Sequence, residues 1–583
     1  MFKLIKKSLV AALALVLIAC GGNDKNNDKN NETPSLTGFE NSRYSHLTAT
    51  AYSVCAQTKS GILKCWGDGG DYNFANGKNE YIGDDAADYA DGGFPASQLG
   101  DQPLQYAMAS ENNGCAIYQD GVLKCWGKRS GVGLNDLSLD DSNYVGDNIE
   151  ELGNNLPVIN LGEGLTVSQI SVGDSHICAV LNNGRLKCWG SNGDGRLGYG
   201  DTEHRGDSND EMGDNLPFVD LGRDSSGAHY TVKQVYAGYD RTCAILNNDQ
   251  IKCWGENDRS QAGYGDFNDR GDEPGEMGNN LPFVDLGTGR SARKVFAYYV
   301  HTCAILDNGG LKCWGANHDG EIGLASGDDV IGNNLPNSRR EFCNNGAIEL
   351  LYERSELAAG EEGCEYGGIQ YRWALDNNGN EQIDADEWVN PFKAYHAHDM
   401  QVIDRLEAIA AEAENNCGGS AGYAVIYDYD EYGDGQLGDG TANLMGDALP
   451  EIDFGSSSPV VDVTQGDDHT CALLADTTLK CWGENGEGQL GLDNDIESFG
   501  DGANETIAAQ LEVDLGDAVY AVAIAGSYDF NCALLNTDEI KCWGYDNDYA
   551  TLGVPEYLDE YIGDGDPAPE MGNALQTVPV FVE

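Results

Sequence analysis

HICAVLNNGRLKCWG (His176–Gly190) holds two cysteines separated by nine residues and closed by Trp-Gly. Cys178-Ala-Val-Leu reads as one strand and Leu-Lys-Cys-Trp as the next. Between them Asn182-Asn183-Gly184 suits a three-residue hairpin whose last residue is left-handed. That turn sets Cys178 directly opposite Cys188. Cross-strand neighbours are close enough for a disulfide. Zinc thiolate sites pair cysteines two to four residues apart, so this spacing argues against metal.

The same pattern recurs from Cys55 to Cys65, Cys115 to Cys125, Cys243 to Cys253, Cys303 to Cys313, Cys471 to Cys481 and Cys532 to Cys542, each followed by Trp-Gly. Gly61, Gly121, Gly309, Asp249 and Asp538 take the left-handed place, and Asp tolerates it better than most residues. Seven cross-strand disulfides are therefore expected, each contributing about 2–3 kcal/mol by loop closure. First cysteines follow one another at steps of 60, 63, 65, 60, 168 and 61 residues. The long step hides a degenerate copy, DYDEYGDGQLG (Asp428–Gly438), in which Asp428 and Tyr429 replace Cys and Trp. Short strands and turns at this period predict an all-β chain, a β-propeller of seven or eight four-stranded blades.

HICAVLNNGRLKCWGSNGDGRLG (His176–Gly198) and HTCALLADTTLKCWGENGEGQLG (His469–Gly491) resemble repeats of the regulator of chromosome condensation family, with Trp-Gly, a polar turn and then Gly-Gln-Leu-Gly. The resemblance covers roughly residues 40 to 340 and 418 to 583. It implies a propeller, usually of seven blades. Some propellers of this type act on small GTPases, and a similar one in a secreted bacterial protein inhibits β-lactamase.

Trp66, Trp126, Trp189, Trp254, Trp314, Trp482 and Trp543 recur at one position and are expected to pack between blades rather than to form an aromatic ring for glycans. His176, His301 and His469 precede their cysteines by two residues, but Arg241 stands in that place in another copy. A catalytic or metal-binding set would not tolerate the exchange, so hydrogen bonding is expected of them. Acidic segments follow the Gly-Gln-Leu-Gly turns, as in Gly200–Gly222 and Gly265–Gly287. On one rim Asp201, Asp207, Asp214, Asp266, Asp272 and Glu276 would form a crowded acidic ring, relieved by calcium or by water and sodium.

Residues 343–417 depart from the repeat. DNNGNEQIDADE (Asp376–Glu387) resembles an EF-hand calcium loop. Asp376, Asn378, Asn380, Gln382, Asp384 and Glu387 fall at its ligand positions, and Ile383 is its apolar plug. Glu381 departs from it, standing where the loop needs Gly. Calcium is thus the one cofactor expected. Beyond it, Val402, Leu406, Ile409 and Ala413 mark one face of a helix over Asp399–Asn416. Seven pairs leave Cys343, Cys364 and Cys417 beside Cys20, and Cys364 with Cys417 is the favoured further pair.

Lys3, Lys6 and Lys7 precede an apolar run, Leu9–Ala19, too short to span a bilayer. Leu17-Ile18-Ala19-Cys20 resembles a bacterial lipobox, which implies cleavage after residue 19 and a lipid on Cys20. Residues 20–38 read as a flexible tether, 39–342 and 418–583 as propeller. An exported protein meets an oxidising compartment, which suits the disulfides. By the same resemblance, Gly21 after the cysteine implies the outer membrane or cell surface rather than retention at the inner membrane. Acyl chains contribute about 0.8 kcal/mol per buried CH₂, enough to anchor a soluble body on a membrane.

The formal net charge is −63, from 34 basic and 97 acidic residues. This excludes nucleic acid as a partner, because phosphates need Lys and Arg. No nucleophile motif, zinc cluster or phosphate loop is legible, so the expected function is not enzymatic. The sequence supports a monomeric cell-surface lipoprotein acting as a binding scaffold through propeller rim loops, for a protein or glycan partner. The alternatives are a secreted-enzyme inhibitor and a surface-polymer lyase or hydrolase.

Overall fold

In the computed structural model every Cys-x₉-Cys copy forms a hairpin, and each hairpin is the centre of a small antiparallel sheet. The structure describes residues 42–324 and 445–581 apart from short gaps, together with the segments 330–331, 349–357, 368–376, 388–394, 428–429 and 435–436. The chain divides into two compact units, Met1–Gly332 with Leu444–Glu583, and Asn333–Asn443.

The first unit is an all-β propeller of seven sheets. In the third sheet Val167–Val172 pairs with His176–Leu181, which pairs with Leu186–Gly190. The other six begin with Tyr44–Thr50, Leu104–Ala109, Val232–Ala237, Ala292–Ala297, Val460–Gln465 and Ala521–Ser527. A short fourth strand completes the second, fifth, sixth and seventh blades, at Tyr144–Val145, Val330–Ile331, Ser498–Phe499 and Glu560–Ile562. In the first, third and fourth blades a single bridge takes its place, Gly67 to Ile82, Gly190 to Arg205 and Gly255 to Arg270. The first strands alternate buried and partly exposed residues, as strands with one wet face do. The middle strands are buried throughout, because each is covered on both faces.

Registers follow the cysteines. Cys178 faces Cys188 and Cys471 faces Cys481, and all seven pairs are closed as disulfides with Cα atoms 4.0–4.1 Å apart. The turn glycine is left-handed at Gly184 (φ 74°), and so are Asp249 (62°) and Asp538 (65°) at the same place. Thr477 (77°) also occupies it, a β-branched residue in a conformation it tolerates poorly.

The blades are joined by linkers, among them three that carry Asn-Leu-Pro, at 155–157, 215–217 and 280–282. Val219 N–H donates to Leu186 O of its own blade, and Val284, Ile452 and Val513 repeat the bond to Ile251, Leu311 and Leu479. The C-terminus closes the ring. Val578 N–H bonds Ile540 O of the seventh blade, while Val580 O accepts from Lys64 Nζ (2.8 Å) of the first. Phe581 lies under that ammonium, 4.0 Å from ring centre to nitrogen. Blade number is therefore seven.

The second unit contains a three-stranded antiparallel sheet, Glu349–Leu357, Gly368–Asp376 and Trp388–Ala394. The degenerate copy belongs to this unit, where Asp428–Tyr429 pairs with Gly435–Gln436. Cys20, Cys343, Cys364, Cys417 and the segment Asp399–Asn416 lie outside the described residues. Among the described residues no helix is long and apolar enough to cross a membrane.

Candidate interaction site at the channel mouth

The conspicuous repeat residues are structural. All seven tryptophans are wholly buried, which rules out a glycan-facing ring. Trp254 Nε1 donates to Arg196 O (2.9 Å), Trp314 to Gln261 O (3.0 Å), Trp482 to Glu321 O (2.9 Å) and Trp543 to Gln489 O (3.0 Å). Each acceptor belongs to the polar turn of the preceding blade. The turn and the Trp-Gly are thus two halves of one joint between blades.

The histidines join blades as well. His176 Nε2 lies 2.8 Å from Thr242 Oγ1, His301 Nε2 2.8 Å from Thr470 Oγ1, and His469 Nε2 2.8 Å from Asn531 Nδ2. Arg241, in the same place, donates to Tyr299 O and His301 O. Burial pulls the histidines down to about 3, 3 and 4, so they are neutral.

The buried lysine of Leu-Lys-Cys-Trp is a further joint that the sequence reading did not single out. Lys187 Nζ donates to Leu161 O and Gly213 O, both at 2.8 Å. Lys252, Lys312 and Lys541 repeat the arrangement on Leu221 and Gly278, Leu286 and Gly446, and Leu515 and Gly572. Each lysine ties the incoming linker to its own blade.

Several carboxylates of the acidic segments have partners close by, while burial and then its hydrogen bond with Glu276 hold the Asp272 carboxyl above the usual range. Asp201 pairs with Arg205 at 2.8 Å and Asp266 with Arg270 at 2.7 Å. Glu276 accepts from Gly271 N (2.8 Å) and Glu273 N (3.2 Å), and Asp214 from Glu163 N (3.2 Å). No group of three or more His, Cys, Asp or Glu side chains could hold a metal among the described residues. In the second unit Asp376 ends one strand and Trp388 begins the next. Asn378, Asn380, Gln382, Asp384 and Glu387 lie outside the described residues.

What the propeller exposes is a cavity of about 290 Å³ where the first strands turn into the second. All seven blades contribute, chiefly through tyrosines and two aspartates, Asp174 and Asp467. Asp174, Tyr239, Tyr299, Asp467 and Tyr528 each stand four residues before the first cysteine of their repeat. The recurrence of tyrosine or aspartate at that place was the sequence signal for the site, and it is masked by the louder Cys-Trp period. Gly173, Gly238 and Gly466 let neighbouring blades approach closely here: a Cβ on Gly238 would lie 1.9 Å from Ala297 O of the next blade. Tyr528 is left-handed (φ 46°), which costs a bulky residue about 1–2 kcal/mol.

The tyrosines pack on each other rather than pointing singly. Tyr239 and Tyr299 are T-shaped with centroids 5.0 Å apart, and both are more than a third exposed. On the opposite side Tyr528, Tyr52, Tyr549 and Tyr81 form a chain at 5.2, 4.9 and 5.4 Å. Such pairs prefer tilted and edge contacts, as here. The field at the mouth is negative. Burial raises Tyr299, and Asp467, Glu256 and Asp240 add to it against Arg259. Burial and then the charges of Asp258 and Asp240 push Glu256 up to about 7. Burial, Asp468 and Asp529 do the same to Glu484. Arg196 is held by Asp194 and Asp240.

Fold and mouth together define a disulfide-stapled β-propeller with an aromatic, acidic channel face. Residues 167–196, 232–261, 292–321 and 460–489 match the Regulator of chromosome condensation (RCC1) repeat. It is 24% identical over 411 residues to the ultraviolet-B receptor UVR8 of Arabidopsis thaliana, covering 67% of this chain and 79% of that protein. It is 24% identical over 330 residues to the protein pim1 of Schizosaccharomyces pombe, covering 56% of this chain and 48% of pim1. Among solved structures, Prp20p of Saccharomyces cerevisiae superposes with a TM-score of 0.45 and 13% identity over 84% of this chain and 82% of that one. A propeller scaffold of this kind is suited to binding proteins.

Proposed function

We propose that the chain is an envelope lipoprotein, anchored through Cys20, whose propeller is a non-enzymatic scaffold that docks a protein partner on its tyrosine-lined face. The observation that carries this reading is the channel mouth, where partly exposed tyrosines and aspartates occupy one repeat position in successive blades. Tyrosine supplies a large, stiff contact surface at small entropic cost, which is why it is frequent in interfaces. The rigid ring beneath, stapled by seven disulfides, holds that surface in place. A negative face favours a partner with a basic patch and speeds their encounter. Calcium held at Asp376–Glu387 is part of this reading, as the ligand of the inserted unit.

The test is affinity capture. The oxidised full chain is immobilised and exposed to envelope and culture-medium fractions, with calcium and then with chelator. The expected result is saturable capture of a protein by the native chain and loss of capture by a Tyr239→Ser/Tyr299→Ser variant. Capture unaffected by that variant contradicts docking at this face, and no saturable capture contradicts the scaffold itself. Release by chelator supports the calcium reading; undiminished capture in chelator contradicts it.

A further inference from the structure

We infer that the channel mouth is a cup for one bicyclic aromatic ring, the side chain of an exposed tryptophan on the docked partner, with Asp174 accepting its indole N–H. The inference rests on the docking reading and names the group that anchors it.

The cup has a floor. Deeper than Met108 on the same strand, Tyr106 meets the His46 ring edge-on at 4.5 Å, and Tyr236 of the fourth blade packs on Phe296 of the fifth at 6.2 Å. Burial pushes the Tyr106 and Tyr236 hydroxyls up to about 12 and pulls His46 down to about 4, as a dry interior does. Side chains of four blades thus fill the channel beneath the mouth. The cup also has a fixed side. Ser527 of the seventh blade donates to the Tyr298 hydroxyl of the fifth at 2.7 Å, a bond that passes over the sixth blade. Other walls are small, Ala49, Ala51, Ala109 and Ala237, which is what leaves about 290 Å³ open. An apolar cavity of about 150 Å³ holds benzene, so this one has room for two fused rings. Met108 offers a polarizable sulfur, and Tyr239 and Tyr299 offer further ring surface at the rim. Asp174 lines the cavity, and among the described residues its carboxylate makes no hydrogen bond or ion pair. A buried indole N–H needs an acceptor, and a carboxylate makes the bond charge-assisted. Tryptophan is also among the residues most enriched where interface energy concentrates.

Binding of N-acetyl-L-tryptophanamide to the oxidised full chain is measured by titration calorimetry, against N-acetyl-L-leucinamide and the 1-methylindole analogue, which lacks the N–H. Saturable binding of the tryptophan amide is expected, with a dissociation constant on the order of 1 mM or below. Ala51→Phe, which fills the cup from its rim, should weaken it by about tenfold or more. The methylated analogue should bind the native chain about fivefold more weakly, and Asp174→Leu should bind the two indoles alike. Near-ultraviolet circular dichroism establishes that each variant is folded. Absence of saturable binding overturns the inference, as does binding that Ala51→Phe leaves unchanged. Leucinamide binding as tight as the tryptophan amide overturns the aromatic ring, and equal affinity of the native chain for the two indoles overturns the role of Asp174. If the tryptophan amide fails while partner capture remains sensitive to Tyr239→Ser/Tyr299→Ser, the docking face stands and only its anchor falls.

Discussion

Lys187 places an ammonium inside the propeller wall, 2% exposed, with two backbone carbonyls as its acceptors. Those carbonyls belong to the incoming linker and to the blade's own last turn, so one side chain replaces the water that neither could reach. Hydrogen bonds to charged groups contribute about 1.5–3 kcal/mol, and each orphaned buried carbonyl costs about 1–3. Lys187→Met keeps the apolar stem and removes the donor. It should destabilise the protein by about 2–4 kcal/mol, read as a lower denaturant midpoint with an unchanged slope. An unchanged midpoint would show that the lysine only fills space. The sequence displays this lysine in every copy, yet its purpose is invisible there. Its acceptors lie 26 residues away in each direction, on segments that become neighbours only in the ring. The cysteines were legible because their partners sit across a three-residue turn. Thr477 shows the limit of that legibility too: the hairpin forms there without any of the residues that favour its left-handed corner.

At the scale of the element, the blade is a hairpin completed by others. Its middle strand is buried on both faces, and its tryptophan is capped by the previous blade. The final segment Val578–Phe581 completes the first blade from the far end of the chain, Lys64 donating to Val580 O where Lys252 donates to Leu221 O. Deleting residues 577–583 should therefore lower the unfolding temperature and raise hydrogen exchange in Tyr44–Thr50 and Ile540–Asp546, leaving Val232–Ala237 protected. Equal exchange in all blades would contradict closure by this segment. The sequence reading left seven or eight blades open because Asp428–Gly438 aligns with the repeat. The ring closes with seven, and that copy, lacking both cysteines and tryptophan, has neither staple nor joint with which to make a blade.

For the molecule as a whole, burial and like charges act together on two glutamates of the propeller. Glu256 and Glu484, with folded values of about 7, hold protons that an unfolded chain releases near 4.5. The folded state thus binds more protons across that window, and these groups lower stability as pH rises from about 4.5 to 7. Glu256→Gln and Glu484→Gln should each unfold at a higher temperature than the native chain at pH 8, the difference shrinking towards zero at pH 4. A difference independent of pH would contradict the assignment. His176, His301 and His469 act oppositely. Their folded values lie below 6.5, so their contribution is complete above that pH and is lost as pH falls towards 3–4. A cost such as the strained Tyr528 at the mouth is the kind retained for binding. The sequence exposed the acidity but pointed to the long rim loops, where Asp201 and Asp266 turn back onto Arg205 and Arg270. The tyrosines and aspartates of the mouth stand 60 to 168 residues apart along the chain, from Tyr239 to Tyr299 and from Tyr299 to Asp467, and meet only around the propeller axis.

The most direct measurement is a hydrogen-exchange footprint of the full chain with its captured partner bound. The account predicts new protection at the hairpins bearing Tyr52, Asp174, Tyr239, Tyr299, Asp467 and Tyr528, in several blades at once. Protection confined to the opposite hairpins at Asn182–Gly184 and their equivalents, or to residues 333–443 alone, would contradict it.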